Sequence, residues 1–257
     1  MKKQIAALLL AAIPMFGFAA SYPLDSVSID LSDKAALQDG AKTFVNNCLG
    51  CHGAKFQRYS RVADDLGISE ELMMDNLVLT DAKFGDHMKS SMSEAQGKLW
   101  FGSAPPDLTN VARVRGADWL YTYMRTFYED PSRPYGVNNK VFDSVGMPNV
   151  LVGLQGRQQI GCKQVQGEEN GKKVFDPLTG TPVTQESCDQ LTIVPNTGTL
   201  NEAEFNEKIK NLVTFLEYSA NPVKLKSQRI GMYVLLFLAF FFVFAYLLKR
   251  EYWKDVH

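Results

Sequence analysis

Cys48-Leu49-Gly50-Cys51-His52 has the form Cys-x-x-Cys-His, the attachment signature of a covalently bound c-type haem. Two thiols on one turn of helix can each add across a haem vinyl group, and the adjacent imidazole then reaches the iron. Cys-x-x-Cys also builds zinc sites and dithiol redox pairs. A zinc site needs four ligands, and no second Cys/His pair follows at similar spacing: Cys162 and Cys188 lie far apart, and the other histidines are His87 and His257. A thioredoxin-like pair opens a helix inside a strand-helix-strand unit, whereas the residues before Cys48 already read as a helix under way.

The N-terminus supports haem independently. Lys2 and Lys3 precede an apolar run from Ile5 to Phe18 and then Ala19, Ala20 and Ser21, the order of a secretory signal peptide over residues 1–19. Export is also where covalent haem attachment is expected, in a compartment that permits disulfides. With Cys48 and Cys51 consumed by haem, Cys162 and Cys188 remain as a natural pair, the alternative being two unrelated thiols. A bridge there would contribute about 3 kcal/mol on the chain-entropy account.

At the other end, Ile230 to Leu248 carries no charge. As a helix rising about 1.5 Å per residue it spans about 28 Å, close to the bilayer's hydrocarbon thickness of about 30 Å. It reads as a transmembrane anchor, with Tyr233, Tyr246, Tyr252 and Trp253 as interfacial aromatics. Basic residues are balanced on its two sides, so the signal peptide sets the orientation: residues 20–229 outside, in the periplasm, and a tail over 249–257 in the cytoplasm, a single-pass protein of the inner membrane. The formal charge of −1 becomes mildly more acidic for the exported part once Lys2 and Lys3 leave with the signal. That balance argues against nucleic acid as a partner and is compatible with a basic protein.

Between the hydrophobic segments the pattern is mostly helices and loops, an all-α domain. Asp33 to Asn47 places Leu37, Ala41 and Phe44 at helical spacing, with Ser32 or Asp33 as cap, and its end delivers the two cysteines. Ile68 to Leu77 is rich in helix formers. Ala117 to Tyr128 aligns Leu120, Met124 and Phe127, and Glu202 to Tyr218 aligns Phe205, Ile209, Leu212 and Leu216 behind an Asn201 cap. Pro222 stops that helix before the membrane segment. Residues 153–200, rich in Gly, Gln, Thr and Asn, read as a loop insertion with a short hairpin around Asp176 to Gly180.

The sixth iron ligand separates electron carriers from gas-binding or catalytic haems. Met73, Met74 and Met124 sit in helical patterns where packing is the default role. Met147, in Asp143-Ser144-Val145-Gly146-Met147-Pro148, stands on a loop between Gly and Pro; His87 and an open position are the other candidates.

The runs from Gly40 to Leu77, Ala104 to Tyr128 and Arg133 to Gly156, together with the C-terminal anchor, resemble in order the cytochrome c1 family, the haem subunit of cytochrome bc complexes. The resemblance implies a class I cytochrome c-like haem domain with loop insertions plus one C-terminal transmembrane helix over 230–248. It implies one covalent haem c, with His52 and Met147 as iron ligands, Arg115 at a propionate, Pro106 in the loop beside the proximal histidine, and Trp119 near the haem edge where relatives often carry Tyr. Asn138 and Asn139 are read as loop-shaping. The implied partners are cytochrome b and a Rieske-type iron-sulfur subunit, with a soluble c-type cytochrome as acceptor, in a chain that carries electrons and is not catalytic by itself. A free-standing anchored cytochrome c feeding an oxidase, or a haem sensor or enzyme with an open sixth position, shares the motif.

Overall fold

The computed structural model describes residues 22–169 and 172–255; the signal peptide expected over residues 1–19 lies outside them. The helices are α1 (Lys34–Asn47), α2 (Tyr59–Leu66), α3 (Glu70–Leu77), α4 (Glu94–Phe101), α5 (Val111–Arg115), α6 (Ala117–Arg125), α7 (Val152–Gln155), α8 (Glu202–Ala220) and α9 (Lys224–Tyr252). The strands pair antiparallel, two by two: β1 (Ala54–Arg58) with β2 (His87–Met88), β3 (Phe127–Glu129) with β4 (Val137–Asn139), β5 (Gln158–Gln166) with β8 (Thr184–Ile193), and β6 (Glu168–Glu169) with β7 (Lys172–Lys173). The expectation of an all-α domain is thereby corrected: the chain is predominantly helical with real strand content.

Helix ends follow their side chains. Asp33 accepts the Ala36 N–H at 3.0 Å to start α1, and Ser69 accepts the Leu72 N–H at 3.2 Å to start α3. Asn201 and Glu204 exchange bonds at 3.0 and 2.9 Å in a capping box on α8. The same device, Ser93 with Gln96, starts α4, a helix the sequence reading passed over although Ser-x-x-Gln was there to see. The helix expected to run to Tyr128 stops at Arg125. Phe127, Tyr128 and Glu129 pair instead with Asn139, Asn138 and Val137, as suits aromatic residues on a pleated surface.

Regular structure also replaces most of the expected loop over 153–200. Gln158–Gln166 and Thr184–Ile193 form a long hairpin in register Gln158↔Ile193 to Gln166↔Thr184, with an irregularity at the Cys162–Cys188 disulfide. The turn at Asp176 to Gly180 is where expected, with Asp176 accepting the Leu178 and Thr179 N–H groups. Both faces of this ribbon are largely polar, so it has no apolar alternation by which to be recognised.

The core is built on the crossing of α1 and α8. Leu37, Ala41 and Phe44 from one helix and Phe205, Ile209, Leu212, Phe215 and Leu216 from the other are buried together, and Phe44 and Phe215 pack with ring centroids 5.5 Å apart. Gly40 permits the approach: a Cβ there would lie 2.0 Å from the Asn211 carbonyl oxygen. Asp39 beside it takes Lys208 at 2.5 Å and the Asn211 amide at 2.9 Å, fixing rotation about the contact.

After α8 the chain breaks over Asn221 to Val223 and resumes as α9, whose apolar stretch has a mean hydropathy of 2.5 and is not buried against the rest of the chain. A helix apolar all round and uncovered has lipid as its partner. The domain therefore carries one C-terminal membrane-spanning helix.

Two outcomes are expected. Gly40→Leu should force α1 and α8 apart and cost at least the roughly 1–3 kcal/mol typical of overpacking, read as a lower denaturation midpoint and reduced haem retention. Replacing Cys162 and Cys188 together by Ser should loosen the hairpin by up to about 3 kcal/mol, read as faster proteolysis within 158–193 with an unchanged haem spectrum.

Candidate functional site

The end of α1 is wound so that the two cysteines and the histidine share one turn. The Cys48 N–H donates to the Phe44 carbonyl at 2.8 Å, and the Cys51 and His52 N–H groups both donate to the Cys48 carbonyl, at 3.0 and 2.8 Å. Cys48 and Cys51 are free thiols. Burial, with a smaller contribution from Cys51, pushes the Cys48 thiol up to about 12, so it is neutral at neutral pH.

The Pro105 to Leu108 segment lies against this turn. His52 Nδ1 donates to the Pro106 carbonyl at 2.7 Å. That bond fixes the ring's tautomer and leaves Nε2 to face a ligand site. Burial lowers the pKa of His52, against smaller opposing contributions from Pro106 and Asp107, which favours the neutral imidazole. The segment is held by Asp107: one carboxylate oxygen accepts the Lys55 N–H at 2.8 Å, and the other accepts the Thr109 N–H at 3.1 Å and hydroxyl at 2.6 Å. The Leu108 N–H also donates to the Gly53 carbonyl at 2.8 Å. Asp107 was not singled out from sequence, although Asp-x-Thr in a Pro-rich loop is a signal for an Asx-type turn.

Met147 comes from a loop that two amides hold in shape. Asn138 accepts the Ser144 N–H at 2.9 Å and donates to Asp143 at 2.9 Å. Asn139 accepts the Val141 N–H at 2.9 Å and the Phe142 N–H at 3.2 Å, and its amide donates to the Tyr123 carbonyl on α6 at 2.8 Å. Ser144 has φ +59°, a left-handed conformation that costs a non-glycine residue, and the Asn138 bond helps to offset that cost. Both asparagines are buried, so the loop-shaping role read from the sequence has a physical form.

These pieces enclose a cleft of about 380 Å³ whose walls are mostly apolar. Cys48, Cys51, His52, Pro106, Arg115, Trp119 and Met147, all seven residues singled out for the cofactor, line it. His87 does not. It sits in β2 opposite Arg58, which removes the second candidate ligand from the site. Met124 also lines the cleft but is a buried core residue of α6.

Arg115 makes no ion pair among the described residues; its guanidinium lies 4.9 Å from the Trp119 ring and 5.8 Å from that of Phe142. Trp119 stacks on Tyr123 at 4.7 Å, and Tyr123 meets Phe127 edge-on at 5.0 Å. Tyr123 was missed from sequence, where its position four residues after Trp119 and four before Phe127 was the available sign.

Two free thiols, an imidazole with one nitrogen left over, a thioether, an uncommitted cation and an apolar cleft make a donor set that fits haem c. By contrast, the grouping of Cys162, Glu186 and Cys188 is no metal site, because both sulfurs are spent in the disulfide.

The Cytochrome C1 family model matches residues 197–256. Over the whole chain, a protein of Allochromatium vinosum named "Cytochrome c1" is 45% identical, covering 100% of both chains. The chain belongs to the cytochrome c1 family. A Nitrosomonas europaea protein named "Ammonia monooxygenase gamma subunit" is 40% identical over 100% of this chain and 98% of its own. A Rhodobacter capsulatus "Cytochrome c1" is 22% identical over 86% of this chain and 83% of its own. As a cytochrome c1-type protein the chain carries covalent haem c and transfers electrons in a complex of the cytochrome bc type, without being a catalyst by itself.

Asp107→Ala should release the Pro106 carbonyl from His52 and leave the imidazole a poorer donor. If His52 binds the haem iron, the expected readout is a higher reduction potential together with easier loss of the His52–iron bond under mild denaturant, followed by visible absorption.

Proposed function

We propose that this chain is a membrane-tethered one-electron relay in which Cys48 and Cys51 would hold a haem c by thioether bonds and His52 and Met147 would bind its iron. When bound, the haem would supply an iron that exchanges a single electron. The polypeptide does the rest. The Pro106 carbonyl orients His52 and strengthens it as a donor; the Asn138 and Asn139 amides hold the loop that presents Met147; Arg115, stacked on Trp119, offers its donors to a propionate. The apolar walls exclude water and favour the ferrous state.

The observation that carries this reading is convergence: seven residues spread from Cys48 to Met147, on the turn after α1, two loops and the α5–α6 region, line one cleft. None of them is near another in sequence except within the Cys48 to His52 turn and the pair Arg115 and Trp119.

In finer detail, residues 20–229 form a class I cytochrome c-like domain with an insertion over 153–200, placed in the periplasm after removal of residues 1–19. Residues 230–248 cross the inner membrane and 249–257 form a cytoplasmic tail. The electron comes from a Rieske-type iron-sulfur protein beside a cytochrome b and leaves to a soluble c-type cytochrome.

Met147→Leu in the full-length chain tests the ligand set. A shift from low-spin toward high-spin absorption, carbon monoxide binding and a large fall in potential are expected; an unchanged spectrum would remove Met147 from the iron. Affinity purification of the native chain from detergent-solubilised membranes tests the assembly. Haem b and an iron-sulfur protein should copurify in fixed ratio, and their absence would favour a free-standing tethered cytochrome or a different oxidoreductase.

A further inference from the structure

The Tyr123 side chain stands where the function described so far does not use it. Its ring is buried, stacked on Trp119 and set edge-on to Phe127, and its carbonyl is taken by Asn139, so neither the helix nor the ring is free to turn. The hydroxyl that this frame aims has one side-chain partner among the described residues: it donates to the Met147 Sδ at 3.6 Å. A phenylalanine would fill the same space and keep both aromatic contacts. The hydroxyl is therefore not needed for packing, and burying it beside a thioether costs desolvation that a weak sulfur acceptor only partly offsets.

We infer that Tyr123 is a positioning residue that sets the reduction potential of the site by hydrogen-bonding to the Met147 sulfur. This rests on the reading of Met147 as an iron ligand. A thioether carries two lone pairs. A sulfur that gives one of them to a hydroxyl is a poorer donor through the other. Ferric iron, the more electron-poor state, loses more stabilisation from that than ferrous iron does, so the hydroxyl raises the potential. The Asn139 bond makes the arrangement self-aligning, because one side chain ties the helix that carries the hydroxyl to the loop that carries the sulfur.

The test is a potentiometric titration of haem c in the isolated native complex or in membranes carrying the full-length Tyr123→Phe chain. Tyr121→Phe, which removes a hydroxyl from the same helix on a ring that instead packs on Arg125, is the matched control. The expected result is a roughly three- to tenfold shift of the one-electron equilibrium toward ferric, about 30–60 mV downward at 59 mV per decade, with the sulfur-to-iron charge-transfer band retained and the control unmoved. A potential equal to that of the control, with the band present, would overturn the inference and leave Met147 ligation standing. Absence of the band from the unmodified protein would instead overturn the ligand reading beneath it. If Tyr123→Phe accumulates poorly, a fluorinated tyrosine at position 123, a stronger donor of nearly the same shape, should move the potential upward; no movement would again overturn the inference.

Discussion

The crossing of α1 over α8 at Gly40 sets the geometry on which the rest of the molecule depends. A backbone-to-helix contact this close tolerates no side chain at the crossing point, and Asp39 with Lys208 and Asn211 fixes the rotation about it. One helix ends in the turn that carries Cys48, Cys51 and His52; the other leads within a few residues into α9. The contact therefore links the Cys48 to His52 turn to the membrane helix through two packed helices rather than through a loop. Small displacements at Gly40 would be felt at both ends, since interiors packed at this density transmit strain instead of absorbing it.

Around that frame the cleft is closed by segments with little regular structure, each immobilised by side chains that satisfy its backbone. Asp107 does this for the Pro105 to Leu108 segment, and Asn138 and Asn139 for the loop before Met147. In each case the polar group that shapes the loop lies behind the residue that faces the cleft. The cleft thus has an outer layer of hydrogen bonds supporting an inner layer of lining side chains, the arrangement that orienting metal donors requires.

Much of this was legible in the sequence, for identifiable reasons. Cys48 to His52 is a contiguous chemical motif, and Asn201 and Asp33 announce helix starts through side chains adjacent in sequence to the N–H groups they cap. Ile230 to Leu248 declares itself by length and the absence of charge. What could not be read depended on partners distant in sequence. Asp107 works because Lys55 is brought beside it, and Tyr123 because a loop 24 residues on returns to its hydroxyl. The hairpin over 158–193 escaped because its polar residues lie on both faces, so neither face alternates. The termination of α6 at Arg125 escaped because Phe127 and Tyr128 satisfy a helical pattern as well as a strand, and the choice was made by Asn138 and Asn139 across the pair.

Ser144, held at φ +59° by the amide of Asn138, has a consequence for speed. The bonds that impose this conformation lie wholly within the polypeptide, so the loop takes its shape from its own side chains. If Met147 binds the iron as proposed, a loop held in this way would have little slack with which to follow a unit change of charge there. Few atoms would then move between the two oxidation states, which favours fast exchange of an electron.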